Sequence, residues 1–456
     1  MSHIIDNEFY KHVMGTEEMR AVFDPRKQIQ SWLEIVTALA KVQADFGIIP
    51  DEAAETISAN ANVDMLDLTT IVAGDPLPSL LQTLRATCSD AGQFVNFGLR
   101  DGDVEDTGTM LEIRDAYGIV FRDLKITEDT LRQLAGKHKT MPMAGRSHNQ
   151  HGPPVTLGFK LAGWAAETRR NMERMKDLHK RLFVGLVEGE TDTLEAFGDK
   201  SAAVLKGVMA ELDLQVLIIG SGSARDHIAE FQNVLGLVAG GIGRIGNEIY
   251  QLSRSELFEL HEPLGPEYVG SSAMPHKRNA EVSEFVVAQC RIVQQNAALG
   301  MQAMICEHER DSRSLLLDQH SIPESCVLLA RAMESIKYIL ADLDISEDNM
   351  RRNMGALDGM IFSEALMYYL APRLGKQTAH DLVLDACMLA HDTHTPIKQI
   401  LLNDPVASKF VVEQEMDELM DYSKHIGKCP EQVDQVLAFA EAHELNDADY
   451  MTSGKT

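Results

Sequence analysis

The segment GSSAMPHKRNA, residues 270–280, concentrates reactive side chains between two long helical patterns. Its glycine and small residues favour a flexible loop with accessible backbone N–H groups. Ser271 can act as a base if such N–H groups and nearby cations stabilise its alkoxide. Lys277 and Asn279 can hold a carboxylate by charge and by amide hydrogen bonds. A solvated basic turn has the same composition, so residue types alone leave both interpretations open.

Three other segments interrupt the helical pattern with polar groups: GLRDGDVEDTG (98–108), AGRSHNQHGPP (144–154) and CEHERDSRS (306–314). In the second, His148 and His151 have a spacing compatible with metal binding. No third ligand is near them in the sequence, and Gly-Pro-Pro follows. A proton relay or a structural hydrogen-bond donor therefore fits this segment better than a metal site.

Long amphipathic helices must position these segments. Apolar residues recur at three- and four-residue steps in residues 26–47, where Trp32, Ile35, Leu39, Val42 and Phe46 form one stripe. Five further long patterns follow, at 107–140, 151–183, 223–256, 279–311 and 322–343. Helices of this length in a globular chain bury their faces against each other.

The expected architecture is an all-α fold with a long central helical bundle. We expect an N-terminal helical domain at 1–106, a central long-helix domain at 107–345 and a C-terminal helical domain at 346–456. Strand signals are few, and LQVLIIGSG at 214–222 is the one short candidate.

Composition narrows the function classes. The net charge is −27, from 69 acidic and 42 basic residues, which disfavours nucleic-acid binding but permits a small anionic substrate in a local cationic pocket. Six scattered cysteines without a CxxC pair indicate reduced thiols in a cytoplasmic protein. The N-terminus has no signal-peptide pattern, and no apolar run is long enough for a membrane span.

The loop at 270–280 closely resembles the signature G-S-S-x-M-P-x-K-x-N of the fumarase/aspartase superfamily. The resemblance extends over nearly the whole chain, through residues 19–54, GRSHNQHGPPVTLGFKLAGW and LGKQTAHDLV. It implies a lyase without metal or other cofactor that acts on a small di- or polycarboxylate. It also implies a homotetramer with a 20-helix core, in which three subunits build each active site.

The resemblance assigns roles to residues on two of the segments. In the loop, Ser271 matches the catalytic base and Ser272 a substrate contact, while Lys277 and Asn279 match the binders of the substrate carboxylate. The family reaction is elimination β to a carboxylate through an aci-carboxylate intermediate, usually with release of fumarate.

The remaining acid–base roles fall on the histidine segment and on the residues after the loop. His148 matches the histidine that transfers a proton to the leaving group, and Glu284 matches its glutamate partner. Ser147 replaces the threonine that commonly precedes this histidine and keeps its hydroxyl. Gln150 is expected to be a polar substrate contact.

The first polar segment departs from the family pattern. Relatives commonly carry Thr-Ser, which holds a substrate carboxylate, where this chain has Arg100 and Asp101. An arginine can bind a carboxylate, whereas an aspartate repels one and favours a cationic group. The departure therefore points to an altered substrate, and both residues are expected substrate contacts. An internal Arg100–Asp101 pair or an impaired site are the other interpretations.

The fourth segment bears on the nucleotide substrate of one family branch. Arg310 is expected at the substrate. In adenylosuccinate lyases, a serine and an arginine beyond this point reach a phosphate, and the equivalent positions here are Leu315 and Gln319. Neither carries a charge, so adenylosuccinate is disfavoured. Elimination from a substituted succinate is the main hypothesis, and a carboxymuconate-type cycloisomerase and a non-catalytic homologue are alternatives.

Overall fold

The structure, a computed structural model, describes residues 3–220, 222–265 and 273–451. Seventeen α-helices and four short strands are present in these ranges. Ser271 and Ser272, the two serines expected in the loop, lie outside the described residues.

Five helices precede the first polar segment: α1 (Lys11–Met14), α2 (Glu17–Val22), α3 (Pro25–Asp45), α4 (Asp51–Asn60) and α5 (Pro76–Thr87). In α3, Asp24 caps the N-terminus and Pro25 occupies the first turn, a position that needs no backbone donor. The predicted stripe is buried from Trp32 to Val42. Phe46 is exposed, because the helix ends before it.

The central bundle consists of six helices: α6 (Asp101–Lys137), α7 (Leu157–Leu182), α8 (Ser201–Glu211), α9 (Asp226–Leu252), α10 (Glu281–Gln302) and α11 (Ser312–Ala341). All five long helices expected from periodicity are present. Helix α6 has 37 residues, which makes it about 55 Å long. The main packing pairs are α9 with α10, α10 with α11, and α6 with α7.

Six helices lie between the bundle and residue 451, where the described part of the chain ends: α12 (Glu347–Met354), α13 (Ser363–Leu374), α14 (Lys376–Thr393), α15 (Ile397–Asn403), α16 (Glu413–Leu419) and α17 (Cys429–His443). Most of this region has a hydrophobic core of its own, which includes Leu366, Val383 and Leu401. Helix α17 instead packs on α7, and its Val433 belongs to the core of the bundle. The N-terminal helices share that larger core. The expected domain boundaries stay a prediction.

The strands differ from the sequence expectation. At 214–222, Gln215 forms only an isolated bridge to Val184, so the predicted strand is wrong over its described part. The principal strands are β1 (Pro142–Ser147) and β2 (Gln150–Thr156), which form an antiparallel hairpin. The helical pattern expected from 151 therefore begins only at Leu157. A second, two-residue pairing joins β3 (Leu260–His261) and β4 (Asp344–Ile345).

A buried ion pair links the bundle to the end of the chain. Arg169 on α7 is fully buried and donates to the equally buried Glu128 on α6, with Nε at 2.7 Å from Oε1. Its Nη1 also lies 2.9 Å from Oδ2 of Asp447. A buried guanidinium is tolerated only when carboxylates compensate its lost hydration. This cluster therefore holds the C-terminal residues on the bundle.

Removing one buried partner is expected to destabilise the fold. Glu128→Ala should lower the free energy of unfolding by about 3 kcal/mol, because Arg169 stays buried with incomplete compensation. Urea denaturation at fixed protein concentration measures the change. The matched control is Glu173→Ala, since Glu173 is 38% exposed and lies 3.5 Å from the same arginine. Its expected effect is below about 1 kcal/mol. Equal losses for the two variants would contradict this account.

Candidate active site

The histidine segment forms the hairpin tip. His148 and Asn149 occupy its two-residue turn, with φ angles of 54° and 59°. Left-handed values at both positions define a type I′ turn, which matches the twist of paired strands. Ser147, His148 and Gln150 are all exposed. The turn therefore presents the predicted proton-transfer histidine at the surface of a single chain.

The hairpin is anchored next to its tip, at the pairs Gly145–Gly152 and Arg146–His151. Gly145 faces a bulge, where a Cβ atom would approach the carbonyl oxygen of Pro153 to 2.3 Å. Arg146 makes a bidentate ion pair with Glu259, at 2.9 and 2.6 Å. His151 is half-buried, and burial together with the Arg146 charge lowers its pKa. His151 is therefore neutral near pH 7, which suits a structural role better than that of a general acid.

The residues after the signature loop gather at the start of α10. Lys277 and Asn279 are exposed just before the helix, and Glu284 is exposed in its first turn. The side chain of Asn279 donates to Glu281 at 3.0 Å. Within the described ranges, no hydrogen bond or ion pair joins His148 to Glu284.

The first polar segment begins α6. Arg100 is the residue before the helix, but its guanidinium points to internal partners: Nη1 donates to the Glu190 carbonyl at 2.7 Å and Nη2 to Asp103 at 2.8 Å. Asp192 lies 3.6 Å from Nη2. Asp101 does not pair with Arg100, so the alternative of an internal pair between these neighbours is wrong. Burial raises the pKa of Asp101, against the opposing charge of Arg85.

Arg310, far from α6 in the sequence, contacts the same end of this helix. Its Nη1 lies 3.0 Å from Oδ2 of Asp106, and a Cβ atom on Gly102 would approach the guanidinium to 2.5 Å. Behind it, Asp106 also contacts the buried Arg225 at 3.3 Å, and Arg225 donates to Asp318 at 2.7 Å. The structure thus places Arg310 against the first turns of α6, the helix that begins at Asp101 directly after Arg100.

The expected site residues that the structure describes therefore form three groups on one chain. They lie at the start of α6 with Arg310, at the hairpin tip, and at the start of α10. Their contacts with a substrate stay predictions.

The sequence did not reveal a carboxylate cluster beside Arg100. Glu188 is 3% exposed, and burial, together with the negative charges of Asp192 and Asp103, raises its pKa to about 7. Asp103 accepts hydrogen bonds from the backbone N–H groups of Glu188 and Gly189, at 3.2 and 3.0 Å. Nothing in the pattern of residues 188–192 indicates that this segment folds back on α6, about 85 residues earlier in the chain.

The described residues contain no group of three or more histidine, cysteine, aspartate or glutamate side chains suited to a metal ion. Within the same ranges, no helix is long and apolar enough to cross a membrane.

Comparison with known proteins identifies the class that this fold and site define. A family model described as "Lyase" matches residues 17–294, and one described as "Adenylosuccinate lyase C-terminus" matches 359–436. The chain belongs to this lyase family, which is the fumarase/aspartase superfamily suggested by the loop sequence.

Individual relatives match almost end to end. The chain is 35% identical to N-acetyl-S-(2-succino)cysteine lyase of Dickeya dadantii, over 97% of this chain and 99% of that protein. It is 34% identical to adenylosuccinate lyase of Pyrococcus horikoshii, over 94% and 97%. The crystal structure of 3-carboxy-cis,cis-muconate lactonizing enzyme from Pseudomonas putida superposes with a TM-score of 0.90 at 31% identity, covering 96% and 99% of the two chains.

The raised pKa of Glu188 predicts a pH-dependent stability. Below the ordinary glutamate pKa of 4.5 the carboxyl is protonated in both folded and unfolded chains. As pH rises from 4.5 to about 7, the unfolded chain ionises first and the wild type loses stability. Glu188→Gln lacks this loss. Its free energy of unfolding should therefore exceed that of the wild type by an amount that grows across this pH range, up to about 3 kcal/mol at pH 8.

Unfolding midpoints of both proteins between pH 4.5 and 8 measure this difference. Glu190→Gln is the matched control, because it removes an exposed carboxylate two residues away and should leave the pH profile unchanged. A constant difference between Glu188→Gln and the wild type at all pH values would contradict the assignment.

Proposed function

We propose that this protein is a lyase that releases fumarate from a 2-substituted succinate. Ser271 removes the proton next to a carboxylate. Lys277 and Asn279 stabilise the negative charge of the resulting aci-carboxylate, a form of electrostatic stabilisation that acts mainly in the transition state. His148, paired with Glu284 of another subunit, donates a proton to the leaving group.

The observation that best supports the proposal concerns the exposed start of α10. Lys277, Asn279 and Glu284, the predicted cation, amide and carboxylate, lie there together. A lysine and an asparagine in this position can bind a carboxylate in two different ways, by charge and by hydrogen bonding. The same chain is 35% identical, along almost its whole length, to an enzyme named for cleaving a succinylated cysteine.

The wall formed by the start of α6 supports a narrower substrate class. Both terminal nitrogens of Arg100 already have internal acceptors, which supports the proposal that Arg100 does not replace Thr-Ser as the carboxylate grip. Asp101, half-exposed in the first turn of α6, would repel a further carboxylate nearby. We therefore propose that the part of the leaving group next to Asp101 is uncharged or cationic. In the proposed substrates the leaving group is joined to the succinate carbon through sulfur or nitrogen. Leu315 and Gln319 provide no charge for a phosphate.

The proposed site is shared among subunits of a homotetramer. On a single chain the hairpin tip and the start of α10 are exposed, and large apolar side chains are exposed along α9 and α10. Leu237 on α9 and Phe285, Ile292 and Met301 on α10 are exposed. Large apolar side chains along helical faces are typical of surfaces that other helices cover.

Fumarate release is the first test. The purified protein, supplied with an S-(2-succino) thioether or an N-succinyl amine, should produce fumarate, seen as growing ultraviolet absorbance and identified chromatographically. Ser271→Ala should lower kcat at least about 100-fold, since it removes the base. Ser423→Ala, on the C-terminal region, is the control and should retain activity.

Two outcomes would overturn the function. One is the absence of any unsaturated product in either direction from the whole panel. The other is formation of a lactone from 3-carboxymuconate without any fumarate from the succinylated compounds, which would support the cycloisomerase alternative.

Subunit sharing has its own test. A His148→Asn variant and a Ser271→Ala variant, each nearly inactive, should regain activity when they are unfolded, mixed equally and refolded. Random assembly gives about one quarter of the wild-type activity if each site takes these two residues from different subunits. Activity that stays at the level of the separate variants, in refolded tetramers, would contradict sharing. Refolded wild type provides the reference.

A further inference from the structure

The segment before the signature loop contacts two of the three site groups. Glu259 is fully buried, and both of its carboxylate oxygens accept from Arg146 of the hairpin. Asn353 of α12 donates to Oε1 of the same carboxylate at 2.8 Å. These contacts join the hairpin to a point beside the C-terminal region.

Three residues later, Glu262 holds the start of α10. Its carboxylate accepts from the backbone N–H groups of Val282 and Ser283, at 3.3 and 2.6 Å. Ala280, the residue before the helix, makes no side-chain cap. A carboxylate at a helix N-terminus satisfies donors that have no partner within the helix and interacts favourably with the helix dipole.

The backbone of this segment is itself anchored. Leu260 and His261 pair with β4, and the backbone N–H of Ser346 donates to the Glu259 carbonyl at 3.0 Å. Arg278 links the segment to β4, with Nη2 at 3.0 Å from Asp344. Residues 259–262 therefore form an anchored segment. The Glu259 carboxylate of this segment contacts the hairpin, and the Glu262 carboxylate contacts the start of α10.

We propose that Glu259 is a positioning residue for His148, acting through Arg146. The turn that carries His148 lies two residues from Arg146 along β1, and the tip itself is exposed. A bidentate pair between a guanidinium and a carboxylate fixes both distance and orientation. Loss of that pair lets the tip move while Lys277 and Asn279 keep their places. The proposal rests on the proposed function, because it assumes that His148 acts on the leaving group.

Glu259→Gln keeps the size of the side chain and removes its charge and one of its two strong acceptors. It should lower kcat about tenfold and change KM less than about twofold, because misplacing the proton donor affects the transition state and not carboxylate binding. Steady-state kinetics of fumarate release measure both parameters. Arg146→Lys, which keeps the charge but not the bidentate geometry, should show the same pattern.

A second measurement does not depend on catalysis. Hydrogen exchange followed by mass spectrometry should show faster exchange in peptides covering 142–156 in both variants, by about tenfold. Glu128→Gln is the matched control, because Glu128 is also a buried bidentate partner of an arginine. It should leave kcat and hairpin exchange unchanged. Glu262→Gln should speed exchange at the start of α10 and leave the hairpin unchanged.

The outcomes separate this inference from the proposed function. Wild-type protein without fumarate release would overturn the function, whereas the exchange experiment would still test the anchoring by Glu259. Active wild type together with unchanged kcat and hairpin exchange in Glu259→Gln and Arg146→Lys would overturn the inference. If Glu259→Gln fails to fold, Arg146→Lys alone decides, since Arg146 is 18% exposed and its replacement keeps the charge.

Discussion

Buried arginine–carboxylate pairs hold the polar ends of the long helices, and the rest of the site depends on them. A charge removed from water is costly unless a well-oriented partner compensates it. Arg100 with Asp103, Arg225 with Asp318, and Arg146 with Glu259 meet that requirement at 2.6 to 2.9 Å. The pairs Arg225–Asp318 and Arg146–Glu259 join segments far apart in the sequence, so they specify how a loop or hairpin sits against a helix end. Arg100 and Asp103 are only three residues apart, and Arg100 reaches a distant segment through the Glu190 carbonyl.

These pairs divide the polar residues into two kinds. The arginines with buried partners have acceptors within the chain, and Arg100, in a family substrate position, is one of them. The residues that remain exposed are those expected to do chemistry, such as His148, Asn279 and Glu284. A site of exposed groups on a rigid frame is what a chain needs if its active sites are completed by neighbouring subunits.

The helices could be predicted because their apolar residues recur with the helical period over twenty or more positions. The hairpin could not, because β1 and β2 are short and rich in glycine, proline and polar residues, which resemble a loop. Its strand pairing depends on tertiary contacts with Glu259 and with the C-terminal region. The loop sequence identified the family and its expected site residues. The partners of Arg100 at 190 and 192 have no signal in the sequence, since they depend on how the chain folds back.

The lyase family is shared with enzymes that cleave succinylated substrates and with others that close a lactone. Differences among them must therefore arise in the site wall and not in the fold. In the proposed site, Asp101 stands at a wall position where the family pattern commonly has a hydroxyl, and the neighbouring Arg100 already has acceptors within the chain.

The most direct test of the central claim is an experimental structure of Ser271→Ala with fumarate or an S-(2-succino) thioether bound. The account predicts a ligand at a subunit boundary, with one carboxylate on Lys277 and Asn279 of one subunit, His148 of another beside the leaving group, and Arg100 still on Asp103. A ligand enclosed by one subunit, or bound by Arg100 after it has left Asp103, would contradict the account.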